Sequence, residues 1–108
     1  MKVGFIGYGL LGKIIFNKFF LFNKNIKIYN RTSKKISSIR KKNKVGNSNK
    51  IFEENELIFL ILYDDKSLLD VLKKIHNSNL KGKVVVNLTT ISYKTSKYLS
   101  NKFKGTST

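Results

Sequence analysis

The chain opens Met-Lys-Val-Gly-Phe-Ile-Gly-Tyr-Gly-Leu-Leu-Gly. A short apolar run (Val3, Phe5, Ile6) stops at Gly7, and Gly9 and Gly12 complete the spacing G-x-G-x-x-G. An apolar stretch of helical period follows at once. Strand, glycine turn and helix in this order is how a parallel sheet presents a helix N-terminus to a dinucleotide pyrophosphate. Gly7 permits the tight turn out of the strand, Gly9 lets the backbone approach phosphate, and Gly12 lets the helix pack on the sheet. Gly-rich turns are common, so the flanking chain decides what the spacing means.

That context comes in order. Lys2–Ile6 is the first strand, and the helix after Gly9 runs to about Phe22, with Leu11, Ile14, Ile15, Phe19 and Phe22 on its inward face. Asn23-Lys24-Asn25 is a turn and Ile26–Tyr29 a second strand. A βαβ unit thus closes within about thirty residues, the length a crossover between parallel strands requires. Thr32 or Ser33 caps a helix reaching about Lys42, with Ile36 and Ile39 inward. Val45-Gly46 predicts a brief third strand, Asn47–Lys50 a loop, and Ile51–Glu56 one helical turn. Leu57–Leu62 is apolar at every position, as in a strand buried on both faces of an α/β sheet. Val84–Leu88 is apolar apart from Asn87 and is the last strand. The pattern specifies an α/β chain with a Rossmann-like, doubly wound parallel sheet of about five strands. Residues 1–108 are expected to form a single domain.

The end of the second strand sorts the cofactor. An NAD site places Asp or Glu there to accept hydrogen bonds from the adenosine ribose. This chain has Asn30-Arg31-Thr32, and no acid precedes Glu53. Arg31 is suited to charge-assisted bonds with a ribose 2′-phosphate, and Asn30, Thr32 and Ser33 add neutral donors. NADP is therefore the better fit, and NAD the poorer one.

Other polar residues read as structural. Asp64 and Asp65 precede a helix from about Lys66 to Ile75, whose Leu68, Val71, Leu72 and Ile75 share a face; acids suit its first turn. His76 ends that helix without a Cys or acidic neighbour. Ser92 caps a last helix, Tyr93–Phe103, with Tyr98, Leu99 and Phe103 as its apolar contacts. The absence of Cys removes disulfides and thiolate chemistry, and one His with six acids leaves little for a metal site, so none is expected.

The net charge is +16, with 22 Lys and Arg against six acids, all six lying between Glu53 and Asp70. Such a field attracts phosphorylated ligands, nucleic acid or anionic membrane. The abundance of Lys, Asn and Ile with no Pro or Trp is also what compositional bias produces. No recognition helix or stacking motif supports nucleic-acid binding, which stands as the alternative function, with the glycine turn vestigial. Lys13, Asn17 and Lys18 interrupt the first apolar stretch and no small-residue cleavage site follows, so it is not a secretion signal. No run is long and apolar enough to span a bilayer. A cytoplasmic location is the expectation.

Four segments in register resemble the β-hydroxyacid dehydrogenases, the group of 3-hydroxyisobutyrate dehydrogenase and glyoxylate or tartronate semialdehyde reductases, with 6-phosphogluconate dehydrogenase and imine reductases as relatives. Gly4 to Gly12 matches the family's G-F-I-G-L-G-x-M-G, and Asn30-Arg31-Thr32 the N-R-T of its NADP-preferring members. Leu62-Tyr63-Asp64-Asp65 matches L-P-D-D, and Asn87 to Ser92 matches D-x-S-T-I-S. The resemblance implies that Gly7, Tyr8, Gly9, Leu10, Leu11 and Gly12, with Asn30, Arg31 and Thr32, hold the adenosine and phosphates. It also implies that Leu62 and Tyr63 border the nicotinamide ribose and that Thr90 contacts the nicotinamide side. Tyr63 and Tyr93 stand where the family has Pro, which leaves both loops with less built-in rigidity.

Past Gly105 the family continues into a substrate-shaping D-A-P-V-S-G-G segment and a helix carrying its catalytic Lys. Neither is present, so the resemblance implies an incomplete domain lacking the later strands of the full domain, and no catalytic residue is assigned. The resemblance implies hydride transfer between NADP(H) and a small hydroxyacid or semialdehyde, with this chain ending before the substrate segment. The strand Val84–Leu88 is then an exposed edge, open to a missing C-terminal fragment or to self-association.

Overall fold

A computed structural model describes residues 1–76 and 80–103. Four parallel strands, β1 (Val3–Ile6), β2 (Lys27–Tyr29), β3 (Leu57–Leu60) and β4 (Val84–Asn87), form one sheet in the order β2-β1-β3-β4. The α-helices are α1 (Leu10–Phe20), α2 (Ser48–Glu54), α3 (Asp65–Lys74) and α4 (Tyr93–Lys102). The strand order reverses direction between β1 and β3, which opens a crevice at the carboxyl ends of the strands.

Strand periodicity divides the core. Val3 and Phe5 of β1, Ile28 of β2 and Phe59 of β3 face one side, where α1 packs. Ile6, Ile58, Leu60 and Val85 face the other, covered by Ile51 and Phe52 of α2, Leu68 and Leu72 of α3, and Leu99 and Phe103 at the end of α4. The α1 side is aromatic. Phe5 meets Phe16 and Phe19 edge-on at 5.4 and 5.6 Å and stacks on Phe59 at 5.1 Å, and Tyr8 meets Phe16 at 5.8 Å.

Three features differ from the sequence expectations. First, the inward face of α1 is Gly12, Phe16 and the half-buried Ile15, Phe19 and Phe20, whereas Leu11 and Ile14 are 47% and 46% exposed and Phe22 is 91% exposed. The stretch is apolar almost all round, so periodicity alone does not orient it. Gly12 does, because its Cα touches the glycine turn and the residues four, seven and eight further on inherit the same side. Second, the helix expected from Ser33 to Lys42 is two 3-10 turns, Ser33–Ile36 and Lys41–Asn43. Thr32 makes no side-chain cap, and Ser37 and Ser38 with a run of like charges give poor helix propensity between the turns. Ile36 is nonetheless buried and Ile39 half-buried against the α1-side core.

Third, the strand expected at Val45-Gly46 shrinks to one isolated parallel bridge, Ile28 to Lys44, leaving four strands among the described residues rather than about five. The Val45 N–H still reaches the Ile28 carbonyl at 2.9 Å. The chain then leaves, because Asn47 accepts the Lys50 N–H and starts α2 at Ser48, inside the segment expected as loop. Buried Asn43 fixes this edge by donating its amide to the carbonyls of Lys24 and Ile26 at 2.9 and 2.8 Å. Among the described residues β4 is the other edge, paired only with β3 and with Val85 alone fully buried. The polar segment expected at Asn77–Lys83 and the tail from Lys104 lie partly and wholly outside the described residues.

Phe16→Ala should destabilise the fold by roughly 3–5 kcal/mol, whereas Phe22→Ala should stay within about 0.5 kcal/mol of the parent. Denaturant unfolding of the two variants checks this.

Candidate functional site

Strand β1 ends in a turn that no other residue type at Gly7 permits. Gly7 has φ +110°, and a Cβ there would collide with the backbone of Ile61, whose carbonyl carbon would lie 2.8 Å away. Its N–H donates to the Tyr29 carbonyl at 3.0 Å, and the Ile61 N–H to the Ile6 carbonyl at 2.9 Å, so the turn is sewn to both flanking strands. Gly12 is constrained from the other side, because a Cβ there would sit 2.7 Å from the Gly7 carbonyl oxygen.

Gly9 is different. Its φ of −75° and ψ of −162° suit any residue, and a Cβ there meets nothing within 4 Å. Neither backbone strain nor packing explains glycine at this position. It is the N-cap of α1 and provides no side-chain cap, and the first turn of the helix contains no acid. The other three α-helices of the described residues are each capped by a side chain: Asn47 accepts from the Lys50 N–H, Asp64 from Ser67 and Ser92 from Thr95. The N-terminal N–H groups of α1, and the positive end of its dipole, thus face open space across a bare Cα.

That space is a cleft of about 440 Å³ at the carboxyl ends of the strands. Gly7, Tyr8, Gly9, Leu10, Leu11 and Gly12 line it, together with Asn30, Arg31 and Thr32 after β2, Leu62 and Tyr63 after β3, and Thr90 after β4. These twelve residues therefore border one cavity, whereas Ser33, expected as a further donor beside Arg31, starts the first 3-10 turn and does not line it. Asn30 links two of the segments: its Oδ1 accepts the Tyr8 N–H at 3.0 Å and its Nδ2 donates to the Thr32 carbonyl at 2.9 Å. The Tyr8 ring is buried, whereas Arg31 and Thr32 are exposed at the rim. On the far side, Thr89 is buried, and its Oγ1 accepts the Leu62 N–H at 2.9 Å.

The sequence reading missed several lining residues. Lys35 joins Arg31 four positions on, giving the β2 end a second cation. Ser67, Asp70, Val71 and Lys74 come from α3 and Ser48 from α2. The spacing 67, 70, 71, 74 is itself helical, a second stripe beside the core stripe Leu68, Leu72 and Ile75, and it was the available signal.

The two acids divide their tasks. Asp64 accepts the Ser67 N–H at 2.9 Å as the N-cap of α3, and that bond holds its carboxyl below the usual aspartate range. Asp65 instead reaches the Ser92 N–H, at 3.1 and 3.3 Å to its two oxygens, and hydrogen bonding to Ser92 lowers its pKa as well. His76 is exposed, and its backbone N–H donates to Asn49 Oδ1 at 3.0 Å. Among the described residues no group of three His, Asp or Glu side chains converges on a common point, and no helix is long and apolar enough to cross a membrane.

Over residues 2–107 the sequence matches the family described as the NAD binding domain of 6-phosphogluconate dehydrogenase. The chain belongs to that family. It is thus an NAD(P)-binding domain with a Rossmann-like fold. An imine reductase from Pseudomonas sp. superposes with TM-score 0.86 at 16% identity, over 96% of this chain and 37% of that one. An imine reductase from Aspergillus terreus, solved with NADPH4 and dibenz[c,e]azepine, gives 0.85 at 19% identity over 97% and 38%. One from Bacillus cereus gives 0.83 at 27% identity over 98% and 38%. No curated protein sequence matches. The chain spans little more than a third of the length of these structures.

The three glycines should separate in experiment. Gly7→Ala and Gly12→Ala should each destabilise the fold by about 2 kcal/mol or more, while Gly9→Ala should cost at most about 1 kcal/mol. Thermal or denaturant unfolding reads the difference. Because the folded-state pKa values of Asp64 and Asp65 lie below the ordinary 3.8, their contribution is present above that pH and lost as pH falls through the lowered values. Urea midpoints followed from about pH 5 down to about pH 2 should therefore fall less steeply in Asp64→Asn/Asp65→Asn than in the parent.

Proposed function

We propose that this chain binds NADP(H) in preference to NAD(H), as the cofactor domain of a β-hydroxyacid dehydrogenase-type oxidoreductase. The observation that carries the cofactor reading is Gly9, a bare Cα at an uncapped helix N-terminus beside a cleft, with no structural reason to be glycine. A pyrophosphate supplies the reason, because its oxygens accept the free α1 N–H groups only where no side chain intervenes. Gly7 and Gly12 hold that turn in place, and Tyr8, Leu10 and Leu11 form its wall.

Preference for NADP rests on the end of β2. Arg31 and Lys35 place two cations at the rim with Thr32 between them, and the one acid lining the cleft, Asp70, comes from α3 rather than from the end of β2. A guanidinium gives bidentate, charge-assisted bonds to a 2′-phosphate, and a Lys adds a point charge. Asn30 spends its side chain on Tyr8 and Thr32, so its role is to shape the turn that presents Arg31. At the opposite end Leu62, Tyr63 and Thr90 border the nicotinamide. A bound nicotinamide supplies hydride transfer, here with a small hydroxyacid or semialdehyde as partner substrate.

The substrate half and its proton-transferring Lys are proposed to come from outside residues 1–108. The small share of each matched structure that the chain spans supports this. Titration by NADPH fluorescence tests the cofactor assignment. NADPH should bind roughly 10- to 100-fold more tightly than NADH, and Arg31→Glu should erase the difference. Equal affinities in the parent chain would refute the role given to Arg31.

A further inference from the structure

The cleft has two ends, and they are held by different means. At the β2 end the turn is braced by β1, by Asn30 and by the backbone of Tyr29. At the other end two segments run on past the sheet, residues 61–64 after β3 and 88–91 after β4. The last ladder bond between them is the Leu88 N–H on the Leu60 carbonyl at 2.8 Å. Beyond it β4 has no neighbour on its outer side among the described residues. The chain contains no proline, so neither segment is stiffened by its own covalent structure.

Two side chains take over. Thr89 Oγ1 accepts the Leu62 N–H at 2.9 Å and lies 3.4 Å from the Leu60 carbonyl, to which it donates. The Asp65 carboxylate accepts the Ser92 N–H at 3.1 Å. Thr90 lies between Thr89 and Ser92, and Tyr63 lies between Leu62 and Asp65. Each cleft-lining residue is therefore clamped on both sides, within a closed ring formed by the two segments and these side-chain bonds. Asp65 is free for this because Asp64 already caps α3. Ser92 has the same dual use, its N–H held by Asp65 while its Oγ accepts the Thr95 N–H to cap α4.

We propose that Asp65 is a positioning residue for the nicotinamide end of the cleft, holding the Thr90 segment against the Tyr63 segment through the Ser92 N–H. The assignment rests on the reading that NADP(H) occupies this cleft with its nicotinamide beside Tyr63 and Thr90. Asp65 itself touches no ligand. It acts by keeping the two walls at a fixed separation before the ligand arrives, so that binding there does not have to order them.

The test uses the full chain and two ligands, NADPH and 2′,5′-ADP, which carries the adenosine end alone, with dissociation constants measured by calorimetry. Asp65→Ala should weaken NADPH binding about five- to tenfold and leave 2′,5′-ADP within about twofold. Asp65→Asn, whose Oδ1 still accepts the Ser92 N–H, should hold NADPH within about threefold of the parent. If Asp65→Ala does not fold, Asp65→Ser carries the same expectation, because its hydroxyl is too short to reach Ser92. Equal weakening of both ligands, or unchanged NADPH binding, overturns the positioning role while the cofactor reading stands. Failure of the parent chain to bind either ligand overturns the cofactor reading and this role with it.

Discussion

Three stretches of backbone meet at Gly7 with no side chain between them: the end of β1, the residue after β3, and the start of α1. The Ile61 carbonyl lies against the Cα of Gly7, and the Gly7 carbonyl lies against the Cα of Gly12. This contact fixes the height and direction at which α1 leaves the sheet, and so where its N-terminus points. It also sets which side of α1 faces inward, and through Phe16 and Phe19 it determines the aromatic layer over Phe5. The cleft lies at that end of the helix, bordered by Gly7 to Gly12 and by the residues that follow β2, β3 and β4.

Twelve of the cleft-lining residues were legible in the sequence because they obey short-range rules. Glycines at fixed spacing, the residues ending β2, and the residues just past two apolar strands all lie at strand ends, and parallel strands deliver their ends to one side. Locating a strand thus locates its contribution. What was not legible depended on three-dimensional competition. The face of α1 could not be read from a segment with nine apolar residues between Leu10 and Phe22; it followed from Gly12. The segment 33–46 holds apolar residues at plausible helical and strand spacing, yet it forms two tight turns and one bridge. Buried Asn43 holds its own side chain on the turn before β2 instead of extending a ladder. The contribution of α3 to the cleft was also hidden, because a half-exposed polar stripe on a helix looks like any solvated surface until a cavity adjoins it.

Charge is distributed as unevenly as structure. Every acid falls between Glu53 and Asp70, in α2, α3 and the turns around β3, while the half-chain that builds β1, α1 and β2 has only cations. The sheet therefore divides a basic side from a more balanced one. The basic side carries the helix N-terminus and the Arg31 rim, so the long-range field and the local donors favour the same kind of ligand.

One feature of the glycine turn bears on how that ligand would be received. Tyr8 sits between two glycines, where a free loop would be at its most mobile. Its ring is instead sunk among Phe16 and its neighbours, and its N–H is tied to Asn30. The backbone on both sides of the residue is thereby anchored from within the core. In thermodynamic terms the surface proposed for the pyrophosphate is already ordered, and association there would leave the loop's conformational entropy nearly unchanged.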